Sequence, residues 1–173
     1  MLGERFAEMR HMEHQLVRID DTALLFIEDT TFAEGLRRQR DEHERHAEEL
    51  ESLVRSSGQG WPPIPDDFRR HSAEHLRNVA ESVDTLDTAR QVLAAELDMA
   101  ERYESSARSE QLSAEEANLV QAHLDEERRH IDELERFVAG EAIRGQGHGG
   151  GAYNDTGDEI GTGPGVGGRG AHR

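Results

Sequence analysis

The chain has 173 residues, no cysteine and a formal net charge of −17. That length suits one domain, the missing cysteines exclude disulfides and thiolate metal sites, and the acid excess argues against nucleic acid, whose phosphates need a basic surface. No stretch approaches the roughly 20 apolar residues of a membrane span, and Met1-Leu2-Gly3-Glu4-Arg5 opens no signal-like apolar run, so the expectation is a cytoplasmic protein off the membrane.

Residues 4–28 predict a first helix whose inward line is Phe6, Met9, Glu13, Leu16, Asp20, Ala23 and Ile27, in alternating steps of three and four. Two acids interrupt that line. Thr30-Thr31 ends this helix or caps the next. Residues 32–56 predict a second, with line Phe32, Leu36, Gln39, His43, His46, Leu50 and Leu53, closed by Ser56-Ser57-Gly58-Gln59-Gly60.

Trp61-Pro62-Pro63-Ile64-Pro65 is an extended connector, with Trp61 and Ile64 set to cover an open core edge. Asp66 or Asp67 then caps a short helix, Phe68 to about Ser82, that carries the chain from one end of the bundle to the other. Residues 84–109 predict the third long helix, with line Leu86, Ala89, Leu93, Glu96, Ala100, Tyr103 and Ala107. Ser113-Ala114-Glu115-Glu116 is a capping box that starts a fourth, running to about Val138. Its apolar stripe is Val120, Leu124, Ile131, Leu134 and Phe137, and Glu127 and His130 fall inside it. From Gly140 onward lie 13 of the 17 glycines. The division is therefore a helical domain, 1–139, and a disordered Gly-rich tail, 140–173, which solubilises the chain or, alternatively, docks it on a partner.

One stretch occurs twice. Residues 41–54 align on 125–138 without a gap, with Asp41/Asp125, Glu42/Glu126, Arg45/Arg129, His46/His130, Glu49/Glu133, Leu50/Leu134, Glu51/Glu135 and Val54/Val138 identical. His43 stands where Glu127 stands. Each half of the chain also places an acid, Glu13 or Glu96, on the inward line of the preceding helix. Pairing each acid with its half's histidines across a hairpin brings Glu13, His43, His46, Glu96, Glu127 and His130 to mid-bundle. One inward acid fits a structural polar core. Four helices carrying acids or histidines on their core lines fit it badly, because buried charge is costly unless paired or ligated. These six are the candidate metal ligands.

Glu-x-x-His on an inward helix face, with single Glu residues on the partner helices, resembles the ferritin-like superfamily, above all the bacterioferritin and rubrerythrin-like di-iron proteins. The resemblance covers residues 4–138 and implies an all-α, four-helix ferritin-like bundle with a long crossover that contains the short extra helix. It further implies that Glu13 and Glu96 are single-carboxylate ligands, Glu127 bridges two metals, and His46 and His130 are terminal ligands. The implied cofactor is a di-iron pair, with zinc or manganese as substitutes, and the implied activity is oxidation of Fe(II) by oxygen or peroxide in iron handling or protection from oxidative stress.

His43 departs from the family pattern, which puts a second bridging Glu there. A histidine bridges poorly, so one zinc or a lopsided iron pair are the alternatives to a symmetric core. The competing functions are a di-iron oxygenase for an organic substrate and a non-catalytic stress or scaffold bundle with a degenerate site. Metal ions are the expected partners, with homo-oligomerisation left open. Gln39, His123, Asp20 and Tyr103 form a second polar layer able to orient ligands, Tyr103 reading equally as ordinary core with its hydroxyl satisfied. His71 and His75 have the His-x-x-x-His spacing that hemerythrins use but lack its other ligands, and read as surface histidines.

Overall fold

The computed structural model describes residues 2–56 and 60–147. All regular structure among them is helical: α1 Leu2–Ala23, α2 Thr30–Ser56, α3 Asp66–Ala80, α4 Thr85–Ala107 and α5 Ala114–Gly147. No helix of the described residues is long and apolar enough to cross a membrane.

α1 packs along α2 and α4 along α5; α1 also meets α4, α2 meets α5 more sparingly, and α3 lies against α1 and α4. The inward lines are buried as their spacing predicts, from Phe6 to Ala23 on α1, Leu36 to Leu50 on α2, Ala89 to Tyr103 on α4 and Val120 to Leu134 on α5, apart from the partly buried Leu93 and Ile131. A second buried row lies beside them, Met12 and Ile19 on α1 and Val92, Ala95 and Met99 on α4. The presence of α3 against just these two helices accounts for that row. α3 contributes Phe68, Ser72 and Val79 as buried positions. The connector before it covers the core edge as expected: Trp61 and Ile64 pack on the core, and the Arg10 guanidinium sits 4.8 Å over the Trp61 ring.

Several helix ends differ from the sequence reading. α1 stops at Ala23 rather than 28, and Leu24 to Phe26 form a turn that leaves Leu25 exposed. Asp29, not Thr30 or Thr31, caps α2: its Oδ1 accepts the Phe32 amide at 2.8 Å. A short acceptor on an extended residue meets the unpaired first-turn amides better than a β-branched one. α3 starts and ends two residues early, with Pro65 before it and Asp66 and Asp67 in its first turn, where acids suit the helix dipole. The capping box forms reciprocally, the Ser113 hydroxyl accepting from the Glu116 amide at 3.2 Å and Glu116 Oε2 accepting from the Ser113 amide at 2.7 Å.

The largest difference is at the end of α5. It continues through Gly140 to Gly147, past the expected helix end near Val138. A lone helical glycine costs only about 1 kcal/mol against alanine, and Glu141-Ala142-Ile143-Arg144 are adequate helix formers. Phe137 stacks on Phe32 at 3.8 Å and anchors this segment to the start of α2. The rest of the expected tail, 148–173, lies outside the described residues.

Candidate metal centre

Three-residue spacing puts His43 and His46 on one face of α2, and Glu127 and His130 on one face of α5. Opposite them stand Glu13 on α1 and Glu96 on α4. All six side chains are buried, and their ligand atoms form two overlapping groups, each within 4.8 Å: Glu13, His43, His46 and Glu127, then His43, Glu96, Glu127 and His130.

His43 and Glu127 belong to both groups. The His43 ring lies between the halves, Nδ1 3.0 Å from Glu13 Oε2 and Nε2 3.0 Å from Glu96 Oε1. Glu127 Oε1 is 3.2 Å from His46 Nδ1, while its Oε2 is 4.0 Å from His130 Nδ1. His43 and Glu127, which occupy equivalent places in the internal repeat, are therefore the two that span the cluster.

The terminal histidines are oriented by acids that the sequence reading passed over. His46 points Nδ1 into the cluster, 3.2 Å from Glu13 Oε1, and gives Nε2 to Glu126 Oε2 at 2.7 Å. His130 points Nδ1 inward, 3.7 Å from Glu96 Oε2, and gives Nε2 to Glu42 Oε2 at 2.6 Å. Arg45 pairs with Glu126, and Arg129 with Glu42 at 2.7 Å. Each repeat thus supplies the acid that holds the other repeat's histidine. Glu42 is turned away from its own helix's inward line, but it faces α5. The identities Glu42/Glu126 and Arg45/Arg129 carried that signal.

Electrostatics separates the carboxyls. Burial would raise Glu13, but His46 and His43 outweigh it and hold the carboxyl at about 2. Glu96 is likewise held well below the usual range by His43 and His130 despite its burial. Glu127 goes the other way: burial, then the charges of Glu96 and Glu13, push it to about 8. Burial also pushes Asp20 well up. Burial disfavours the histidine cations, yet Glu13 and Glu127 hold His46 at about 10, and Glu42 and Glu96 hold His130 at about 9. His43 is raised as well, by Glu96, Glu127 and Glu13.

Several buried atoms in this centre make no hydrogen bond: both oxygens of Glu127, Glu96 Oε2, His130 Nδ1 and both oxygens of Asp20. His46 Nδ1 is 3.2 Å from both Glu13 Oε1 and Glu127 Oε1, and its one hydrogen can serve only one of them. Buried polar atoms are rarely left this way, and a bound ion or water at the centre would account for them. The donor set, imidazole nitrogens mixed with carboxylate oxygens, suits iron, zinc or manganese.

A hydrogen-bonded chain links the centre to the surface. The Tyr103 hydroxyl donates to Glu13 Oε1 and lies 3.0 Å from His123 Nδ1. His123 Nε2 meets Glu49 Oε2 at 2.6 Å. Glu49 borders an open cavity of about 520 Å³ together with Ser52, Leu53, Ser56, Glu115, Asn118 and Leu119. Tyr103 and His123 thus touch the cluster directly or through one bond. Asp20 lies beside it, 3.6 Å from His43 Nε2, and Gln39 is buried with its Oε1 unpartnered.

The expectation for His71 and His75 needs one correction. His71 is exposed, but His75 is only 14% exposed and both rings face Asp98.

Fold and centre together define an all-helical bundle with a buried histidine–carboxylate cluster able to hold metal. The chain matches no family model, no curated protein and no solved structure.

Proposed function

We propose that this centre holds a pair of metal ions, iron foremost, and that the protein oxidises Fe(II) with oxygen or peroxide in iron handling or protection from oxidative stress. On this reading α1, α2, α4 and α5 are the four helices of a ferritin-like bundle and α3 is its crossover. The observation that carries the reading is the set of buried, unpartnered ligand atoms in these groups, Glu127 Oε1 and Oε2, shared by both, with Glu96 Oε2 and His130 Nδ1 of the second. Leaving a buried polar atom unmet costs about 1–3 kcal/mol, more for a charged one. Cations between the halves would meet all four.

Bound iron would supply the redox couple and open coordination positions. The residues supply the frame. Glu13 and His46 would hold one ion and Glu96 and His130 the other, with Glu127 and His43, which belong to both groups, able to serve either. Glu126 and Glu42 fix the rings of His46 and His130 so that Nδ1 faces inward. The chain Glu49–His123–Tyr103–Glu13 offers protons a route between solvent and centre.

A second reading rests on the same His43. As an imidazolium it can donate to Glu13 and Glu96 by itself, making a metal-free structural network with a degenerate site. Anaerobic Fe(II) titration of the full chain, with metal content measured on protein purified without added metal, separates the two. Two ions per chain and a raised melting temperature support the metal centre. No bound iron and an unmoved melting temperature overturn it.

A further inference from the structure

We infer that His71, His75 and Asp98 form a second metal site, for a zinc-like divalent ion, on the outer face of the bundle between α3 and α4. It is separate from the buried centre and does not depend on what that centre binds. His71 and His75 are one turn apart on α3, so both imidazoles leave the same face. Their ring centroids are 5.1 Å apart at 77°, and both rings turn to one oxygen of Asp98 on α4. His71 Nε2 lies 3.1 Å from Asp98 Oδ2 and His75 Nε2 lies 3.6 Å from it. The three ligand atoms are all within 4.8 Å of one another.

The dimensions fit an ion. Zinc with tetrahedral angles and bonds of about 2.0–2.1 Å keeps its ligand atoms about 3.3–3.4 Å apart, and the two distances to Asp98 Oδ2 bracket that spacing. His75 also aims a buried Nε2 at this point without making a hydrogen bond there. Two imidazoles and one carboxylate complete three positions, and the exposure of His71 leaves the fourth to water.

Arg102 shares the carboxylate. Its Nη2 is 3.2 Å from Asp98 Oδ1 and 3.3 Å from Oδ2, with Nε 3.4 Å from Oδ2, and the guanidinium stacks 4.3 Å over the Phe68 ring. It fixes the carboxylate's direction while opposing a cation beside it. An ion here would tie α3 to α4 at the edge of α3's buried face, beside Phe68 and Ser72.

The test uses the full metal-free chain, zinc(II) by calorimetric titration and cobalt(II) by its visible absorption, on wild type and on His71→Asn/His75→Asn. The double variant should bind one zinc fewer per chain, lose the intense tetrahedral cobalt bands of this site, and keep its helical circular dichroism. Taking the difference removes zinc bound at the buried centre or at His148 and His172. Arg102→Gln, which removes the opposing charge without touching a ligand, should tighten this zinc several-fold and needs no histidine variant to fold. Equal zinc stoichiometry in wild type and double variant, or zinc affinity unmoved by Arg102→Gln, overturns the site; in that case the cluster is an ordinary Arg102–Asp98–His71 ion pair.

Discussion

Glu127→Gln separates a metal centre from a structural polar core, because the two assign opposite signs to one substitution. In the metal-free fold Glu127 titrates at about 8, against an ordinary value of 4.5. At pH 7 the unfolded chain ionises this carboxyl while the folded chain must keep it protonated. That difference costs about 1.4 kcal/mol for each pH unit between 4.5 and 7, or roughly 3 kcal/mol. Glutamine has the same shape and no charge to lose, so the metal-free variant should gain up to that amount. For a chain of this size about 1 kcal/mol moves the melting temperature by roughly 2–4 °C, giving a rise of roughly 6–12 °C. A raised carboxyl destabilises the fold progressively as pH climbs from 4.5 to 8, so the gain should vanish below pH 4.5, where both side chains are neutral.

Iron should reverse the order. A ligand that binds only the folded state adds RT ln(1 + [L]/Kd), about 2.7 kcal/mol at a hundredfold excess over Kd. Wild type should collect that stabilisation and the variant should lose most of it, since an amide cannot span two cations as a carboxylate does. The assay is anaerobic thermal melting at pH 7, with chelator and then with saturating Fe(II). If metal-free Glu127→Gln instead melts lower, by the equivalent of about 3–5 kcal/mol, and iron moves neither protein, Glu127 belongs to a closed ion-pair network and the reasoning is refuted.

Four further outcomes follow from the same geometry. His46, His130 and Glu127, at about 10, 9 and 8, carry protons at pH 7 that a metal must expel; titrations from pH 6 to 8 should show affinity rising by up to about three decades per pH unit, and a flat profile would contradict their ligation. The raised histidines also stabilise the metal-free fold: their contribution is complete below about pH 6.5 and should be lost as pH rises through 9 to 10, which denaturant midpoints against pH would show. His43→Glu puts a further acid among Glu13, Glu96, Glu127 and Asp20, so metal-free protein should melt lower while Fe(II) stabilises it more and the second ion binds more fully; titration with one ion per chain would count against His43 as the spanning position. Tyr103→Phe removes the hydroxyl that donates to Glu13; it should cost about 1.5–3 kcal/mol, as for a hydrogen bond to a charged group, and slow proton release on Fe(II) oxidation while leaving iron stoichiometry intact, which stopped-flow with a pH dye would follow.

How far the molecule can be read from its residues depends on whether the relevant signal is local. The inward lines were legible because helical spacing of three and four is a property of each segment alone. Six of the polar interruptions of those lines, Glu13, His43, His46, Glu96, Glu127 and His130, meet in space where the lines face one another. Helix ends were less legible: Leu24-Leu25-Phe26 continue an apolar pattern past the point where α1 stops, and Asp29 captures the next start. The second buried row, Met12, Ile19, Val92 and Met99, depends on where α3 lies, which no spacing within α1 or α4 reveals. Glu42 and Glu126 each face away from their own inward line, so helical spacing does not mark them, although each reaches a histidine on the other helix. Asp98 escaped notice entirely: its meeting with His71 and His75 is a contact between two helices with no motif in either.

The internal repeat explains both the symmetry of the centre and its one break. Glu42 with Arg129 and His130, and Glu126 with Arg45 and His46, are the same three-residue device used in both directions between α2 and α5. Had the repeat been kept at position 43, five carboxyls would converge there: Glu13, Glu96, Glu127, Asp20 and a glutamate at 43. Like charges so close in a buried site raise carboxyl pKa values and strain the fold until cations arrive. With His43 the centre contains its own cation, 3.0 Å from an acid of each half. The bundle can then close without metal, and metal entry on the proposed reading becomes an exchange of protons for iron rather than a condition of folding. That is also why the position that breaks the repeat is the one to mutate: His43→Glu should turn a bundle that folds first and binds later into one that needs its metal to fold well.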